Sequence, residues 1–368
     1  MPDHPEVLSE RAVAAVREQL RAHLDRQRQV MAAVAPEVLR MDEDLEAYLG
    51  GGKMLRPLFC YWGGVAVHGA ELSDGAAADL ARAGAAIELV QAAALLHDDV
   101  IDHSPTRRGR PAAHMAAAAR HRADALSGSS EDFGEAFAII LGDLALAWSE
   151  QLFSEIDRDH AVAGREEFDL LRTEVMGGQY LDVLHQAGGF ASAGTPEEAA
   201  MAVIRWKTVP YTVLRPLRMG AALMGASTPQ LDLLERWAVA IGTAFQLRDD
   251  LLSVVGDPQR TGKPVGGDIV EGKRTVVLAR ALEAADAGQR AALEAALGDP
   301  SADPEAIAAA HAVLVGTGAV DSVRADVERL AREAAALMDA DDLLRPLGRA
   351  GLGALADAAT DLSVLRPS

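Results

Sequence analysis

The sequence predicts an all-α fold, a single-domain helical bundle, on three observations. Apolar residues make up 49% of the chain but aromatics only 4%, and an Ala/Leu-rich, aromatic-poor composition favours helices over sheets. Apolar runs of helical period follow one another with short Gly, Pro, Ser and Asp breaks, an order that builds a bundle. No run of period two reads as a strand. Length alone would suggest two domains. Charged motifs spread from Gly51 to Arg274 must converge to make one site, however, so one domain over 1–368 is expected.

The elements follow in order. Residues 9–33 read as an amphipathic helix, and Pro36 starts another that runs toward the Gly50-Gly51-Gly52 break. GGKMLRP then opens a helix expected to carry Lys53 and Arg56 at i and i+3, on one face. After a break at Leu72–Gly75, Ala76–Asp102 forms a long helix. Ser127–Glu135 reads as a loop, and Ala136–Phe153 as an apolar helix with Leu144 and Trp148 one turn apart. Glu166–His185 is a further helix, with Gln179 and Asp182 on one face. Thr195-Pro196-Glu197-Glu198 has an N-cap, Pro at N1 and Glu at N3, and its helix bears Lys207-Thr208 before an expected break at Pro210. Ser227-Thr228-Pro229 starts a helix that passes Trp237 and Gln246 and reaches Asp249-Asp250. Six Gly and Pro residues between Gly256 and Gly267 then mark a loop. Residues 279–368 are Ala/Leu helices with breaks at Gly298–Pro304 and Pro346, and read as scaffold.

Composition excludes several function classes. The one cysteine, Cys60, permits no disulfide framework or cysteine metal cluster. The start, MPDHPEVLSERAVAAV, lacks the basic and apolar regions of a secretory signal. No stretch approaches the ~20 uninterrupted apolar residues of a membrane span, so a reducing cytoplasm is the simplest home. A formal charge of −20 argues against nucleic acid, whose binding depends on Lys and Arg. Small anions remain possible partners where divalent metal and a local cationic lining reverse the field.

Two acidic clusters carry the chemistry. Asp98, Asp99 and Asp102 stand at i, i+1 and i+4, and Asp98 and Asp102 present two carboxylates from one helix face. Arg107-Arg108-Gly109 follows, offering charged forks suited to phosphate oxygens. Asp249 and Asp250 form the second cluster. Carboxylate pairs suit magnesium, which uses one or two carboxylates, waters and substrate phosphates. The lysines sharpen this reading. Among 35 Lys and Arg residues, lysine occurs only at Lys53, Lys207, Lys263 and Lys273, each inside a motif. GDPQRTGKP (Gly256–Pro264) imitates a nucleotide loop, but it has five residues between its glycines and Pro264 where Ser or Thr should stand.

Taken together, GGKxLRP, a helix ending DDxxD, RRGxP, a Lys-Thr pair, FQxxDD, GKPxGxD and EGKR resemble the trans-isoprenyl diphosphate synthase family over about Gly51 to Val277. The resemblance implies an isoprenoid synthase fold with a central cavity, usually a homodimer. It implies that isopentenyl diphosphate meets Lys53, Arg56, Gln91 and Arg108, and that an allylic diphosphate meets Arg107, Lys263 and Lys273. Gln91 stands where many relatives have His. Asp98 and Asp102 match the main ligands of Mg2+, with Asp99 less direct, and Asp249 and Asp250 match the second metal site; three ions with bound diphosphate are expected. Lys207, Thr208 and Gln246 match the catalytic group beside the allylic carbon. One departure is Ser253, which replaces the third aspartate of the second motif; Asp257 lies a turn further on.

The implied reaction is electrophilic: the allylic diphosphate leaves, the double bond of isopentenyl diphosphate attacks, and a proton is lost. Ala93 and Ala94, one turn before Asp98, are small where short-chain relatives carry aromatics. Trp148 with Leu144 would close the shaft below them. That suggests geranylgeranyl diphosphate as product, with farnesyl or longer chains as the alternatives. A class I terpene cyclase is disfavoured by Lys53, Arg56 and Asp249-Asp250, and a non-catalytic partner subunit by the retained aspartates.

Overall fold

Capping side chains set where several of the helices begin. The computed structural model describes residues 4–50, 52–69, 71–156, 161–192, 194–256, 267–299, 301–340, 342–363 and 365. The chain divides into two compact units, residues 1–165 with 219–226, and residues 166–218 with 227–368.

Unit 1 is built around α4 (Asp74–Ile101). Ser73 caps it by accepting from the Ala76 N–H at 3.2 Å, and most of its residues are buried on every side, as suits a central helix. Around it pack α1 (Pro5–Val34), α3 (Leu55–His68) and α6 (Ser130–Ser154). A short 3₁₀ turn at Pro36–Val38 leads into α2 (Leu39–Leu49), and α5 (Ala113–Ala123) lies on α6. One core cluster joins Leu20 and Leu24 of α1, Leu89 and Ala93 of α4, and Leu141 and Trp148 of α6.

Three local expectations are corrected here. Lys53 lies outside α3, because Gly52 (φ 99°) and Met54 (φ 50°) turn the chain through left-handed conformations just before the helix. Ser127–Glu135 is only partly loop: Ser129 accepts from the Asp132 N–H at 3.1 Å and starts α6 at Ser130. A small hairpin also escaped the period-two reading, with β1 (Thr106–Arg107) paired to β2 (Arg110–Pro111) across an Arg108-Gly109 turn. Both turn residues have positive φ, 53° and 75°, the geometry of a tight two-residue hairpin. Helix α6 is long and apolar enough, by length and composition, to cross a membrane, although Asp143 and Glu150 interrupt its apolar run. In the fold, its Leu141, Ala145, Trp148 and Leu152 face the core of unit 1.

Unit 2 is built around α10 (Thr228–Val255). The Ser227 N–H donates to Gln230 Oε1 at 2.9 Å, closing a capping box. Trp237, Ile241, Leu247 and Leu251 are buried along it. Helix α7 (Ala161–Gln186) enters this unit at Glu166, and α8 (Pro196–Val203) starts on the Thr195 cap. The break expected at Pro210 does not occur. Wide π turns at Ile204–Thr208 and Pro210–Leu214 carry the chain into α9 (Arg215–Leu223). Proline lacks the N–H an α-helix needs and crowds the carbonyl four residues back, and the wider turn relieves both.

A short helix, α11 (Gly267–Val270), precedes α12 (Val276–Ala284), α13 (Ala287–Ala296), α14 (Pro304–Gly316), α15 (Ala319–Asp339) and α16 (Pro346–Thr360). Beyond the two breaks expected in the C-terminal segment, Asp286 caps α13, accepting from the Gln289 N–H at 2.8 Å. An ion-pair network ties three helices together: Arg215 contacts Glu167 and Glu174 at 2.6–2.8 Å, and Arg218 contacts Glu167 and Glu235 at 2.7 and 2.9 Å.

Candidate active site

In unit 1 the first aspartate cluster sits at the end of α4. Asp102 is the C-cap, and its N–H donates to the Asp98 carbonyl at 2.8 Å, so the two carboxylates stand one turn apart. Asp98 is partly open, with 22% of its side chain exposed, whereas Asp99 is sealed at 1%. Both Asp99 oxygens are engaged. Oδ1 accepts from Arg107 Nε at 2.9 Å and from Arg107 Nη2, and Oδ2 accepts from Tyr48 Oη at 2.7 Å. Burial first, and then the Asp99 hydrogen bond, raise Tyr48 well above the usual phenol range, so it stays a donor. Asp99 therefore fixes Arg107, which lies 3.9 Å from Asp98, and is turned away from solvent where Asp98 is partly open.

The hairpin aims the remaining arginines. Arg108 donates to the Tyr48 carbonyl at 3.4 Å, and its guanidinium rests on Gly52, where a Cβ would come within 3.0 Å. Glycine is favoured at 52 by its φ of 99°, and a Cβ there would also push the Arg108 guanidinium aside by a few tenths of an ångström. Lys53 is exposed, Arg56 lies in the first turn of α3, and Gln91 is half-buried on α4.

In unit 2 one cleft is lined by Asp182, Lys207, Thr208, Gln246, Asp250 and Lys273, among others. Lys207 Nζ pairs with Asp182 at 2.6 Å. The close approach of α7 to this segment depends on Gly178, where a Cβ would fall 2.4 Å from the Lys207 backbone nitrogen. Thr208 Oγ1 donates to Gln246 Oε1 at 2.8 Å, and Gln246 Nε2 donates to Asp250 Oδ1 at 2.7 Å. This chain of bonds leaves the threonine oxygen with its lone pairs unspent on Gln246. Asp250 is 7% exposed and Asp249 is half-buried beside it. His185 Nε2 meets the Arg274 carbonyl at 3.2 Å, and Lys273 pairs with Glu271 at 2.8 Å. Lys263 and Asp257 lie outside the described residues. Ser253 turns its hydroxyl back to the Asp250 carbonyl at 2.8 Å.

Sequence reasoning passed over Tyr48, which reaches Asp99 from 51 residues away. It noted Asp182 without giving it a role. The signal for Asp182 was its i, i+3 spacing from Gln179; for Tyr48 there was none. Among the described residues no three His, Cys, Asp or Glu side chains converge to hold a metal by themselves. The donors present are carboxylate oxygens in pairs, a set that fits a hard cation sharing its shell with water and phosphate.

Comparison with known proteins agrees with this chemistry. Residues 40–314 match the family described as polyprenyl synthetase. The chain is 32% identical over 326 residues to a short chain isoprenyl diphosphate synthase of Methanothermobacter thermautotrophicus, covering 86% of this chain and 90% of the relative. It is 29% identical over 262 residues to a geranylgeranyl diphosphate synthase of Sulfolobus acidocaldarius, covering 70% and 71%. The solved geranylgeranyl pyrophosphate synthase of Corynebacterium glutamicum, complexed with isoprenyl diphosphate and magnesium, superposes with a TM-score of 0.88 at 38% identity, over 97% of this chain and 98% of that one. The chain belongs to the polyprenyl synthetase family, the trans-isoprenyl diphosphate synthases, and is a prenyltransferase.

Proposed function

We propose that the chain condenses isopentenyl diphosphate head to tail with an allylic diphosphate, in a Mg2+-dependent reaction ending at geranylgeranyl diphosphate. The observation that carries this reading is that partly open carboxylates stand beside fixed cations in each unit, at Asp98 and Arg107 in one and at Asp182 and Lys207, in a cleft also lined by Asp250, in the other. The reaction draws on both, so a single catalytic domain is part of the proposal.

Mg2+, as three ions held by Asp98, Asp102, Asp249 and Asp250 together with the diphosphate, would supply charge neutralisation of the leaving group. The chain's own residues do the rest. Lys53, Arg56, Gln91 and Arg108 hold isopentenyl diphosphate, Arg107, Lys263 and Lys273 hold the allylic diphosphate, and Lys207 stands with Thr208 and Gln246 beside the allylic carbon. As the allylic carbon–oxygen bond breaks, positive charge grows on the carbon. The Thr208 hydroxyl, oriented by Gln246, presents an oxygen dipole to it, a group already in place before the charge develops. The isopentenyl double bond then forms the new carbon–carbon bond, and the proton it loses leaves with the diphosphate.

Chain length follows from α4. Ala94 is half-buried one turn before Asp98, on the same open face as Gln91, whereas Ala93 is buried among Leu141, Ala145 and Trp148. Trp148 meets the edge of His23 at 6.0 Å and, with Leu144, is the proposed floor. Ala94→Phe should therefore shorten the products. Ala93→Phe should instead overpack the core, costing about 1–3 kcal/mol. A homodimer in the cytoplasm completes the reading; Phe133, Ile139 and Ile140 of α6 are exposed apolar residues such a partner would cover.

The test is incubation of isopentenyl diphosphate with dimethylallyl, geranyl or farnesyl diphosphate, with and without Mg2+, reading product length. A Mg2+-dependent C20 product is expected. No condensation with any starter would overturn the reading and favour a non-catalytic partner subunit.

A further inference from the structure

One turn of α7 serves both lysines of the unit 2 cleft. Asp182 holds Lys207 through its side chain at 2.6 Å. Three residues on, and so on the same helix face, His185 lines that cleft with Lys273 and Arg274. It is 6% exposed, and its Nε2 lies 3.2 Å from the Arg274 carbonyl. A carbonyl can only accept, so Nε2 carries the proton and donates. Burial, opposed by that same bond, holds the ring below the usual histidine range. The ring is therefore neutral at pH 7, with its one N–H given to Arg274. Phe190 flanks it in an edge-on contact at 6.4 Å.

The segment so held has little regular structure of its own. Residues 271–275 join α11 to α12. They are tied where they enter, by the Gly272 N–H to the Ile269 carbonyl at 3.0 Å, and where they leave, by the Thr275 hydroxyl that caps α12 at 3.3 Å. Between these points stands Lys273, whose ammonium pairs with Glu271 at 2.8 Å. An ammonium on a flexible stem aims only as well as the backbone that carries it, and the His185 bond lands one residue beyond.

We propose that His185 is a positioning residue: through the Arg274 carbonyl it sets the backbone from which Lys273 reaches the allylic diphosphate. The inference rests on the reading that Lys273 binds that diphosphate. The same turn of α7 thereby places both lysines, one by a carboxylate on the side chain and one by an imidazole on the main chain. The difference in kind matters. Asp182 competes with any anion for Lys207, whereas His185 places Lys273 without touching its charge.

The test is steady-state condensation with each substrate varied in turn. The intact chain is compared with His185→Leu, His185→Gln, Lys273→Ala and the double variant of His185→Leu with Lys273→Ala. Losing one neutral hydrogen bond should raise the allylic KM about fivefold in His185→Leu. The isopentenyl KM should move less than about twofold, because the contacts proposed for that substrate lie in unit 1. Glutamine can put its Nε2 where the imidazole nitrogen stood, so His185→Gln should recover the intact allylic KM to within about twofold. In the double variant the His185 effect should vanish into that of Lys273→Ala, since residues acting through one another are not additive. An unchanged allylic KM in His185→Leu, or additive losses in the double variant, would overturn the role of His185 while Lys273 keeps its own. An unchanged allylic KM in Lys273→Ala would overturn the reading beneath it, and the role with it. Should His185→Leu fail to fold by urea denaturation, His185→Asn, whose amide is one bond too short to reach the carbonyl, takes its place with the same expectations.

Discussion

In unit 1 the carboxylate that fixes the arginine is sealed: Asp99 is 1% exposed and bonded to Arg107 and Tyr48. In unit 2 the carboxylate that fixes the lysine opens on the cleft: Asp182 and Lys207 are 15% and 25% exposed at 2.6 Å. Arginine's planar fork suits a permanent mount, whereas an ammonium on a flexible stem can exchange one oxygen for another. The first region thus separates its structural aspartate from the open pair Asp98 and Asp102. The second lets one set of groups line the cleft and hold it together. Substitutions should therefore divide cleanly between stability and activity in unit 1, and less cleanly in unit 2.

The largest effect tests the open side of unit 1. Asp98→Ala should lower kcat by about 10³-fold, the rate equivalent of roughly 4 kcal/mol of lost charge stabilisation, with the unfolding midpoint nearly unchanged. Steady-state kinetics beside urea denaturation would read both. A large loss of stability would break the division between the two aspartates.

The sealed side should show the converse. Asp99→Asn leaves Arg107 with only the longer 3.9 Å contact to Asp98, and breaking such a pair costs about 3 kcal/mol. Denaturant unfolding should report most of this change, and the KM for the allylic diphosphate should rise as Arg107 loses its mount. Wild-type stability would show instead that Tyr48 and the hairpin hold Arg107 without Asp99.

Unit 2 should mix the two readouts. Asp182→Asn removes a half-open pair worth no more than about 1 kcal/mol, yet it takes away the 2.6 Å contact that positions Lys207. A kcat about tenfold lower is expected, since misplacing a charged group at a reacting centre is costly. If instead binding of the allylic substrate tightens and kcat holds, Asp182 is a competitor of the diphosphate and the contrast with Asp99 becomes sharper still.

The same contrast explains what could be read in advance. Helix starts were legible at Thr195 and Ser227, because capping is local, but the cap at Ser129 reads as loop. Four lysines in an arginine-using chain pointed at Lys207 and Lys273, which the structure brings to one cleft. The Arg108-Gly109 hairpin was not legible, since two-residue strands have no period. Pro210 misled for a definable reason: the rule that proline ends an α-helix is sound, but the chain leaves α geometry rather than helix altogether. Tyr48 was invisible because its role depends on a partner, Asp99, brought to it by folding.

The smallest effect concerns the departure in the second aspartate motif. Ser253 is 4% exposed, and its hydroxyl donates to the Asp250 carbonyl three residues back. It is thus committed to its own helix, and a metal or substrate role would require it to turn away. Ser253→Ala should change kcat by less than about twofold. Loss of the back-bond and the better helix propensity of alanine nearly cancel, so stability should move by less than about 1 kcal/mol. Ser253→Asp, which restores the family residue, should gain no activity and lose stability, because the new carboxylate would enter a buried position. A rate gain in that variant would mean that α10 can turn residue 253 toward the cleft. The second motif would then be a three-aspartate site weakened by one substitution, rather than a two-aspartate site complete with Asp249 and Asp250.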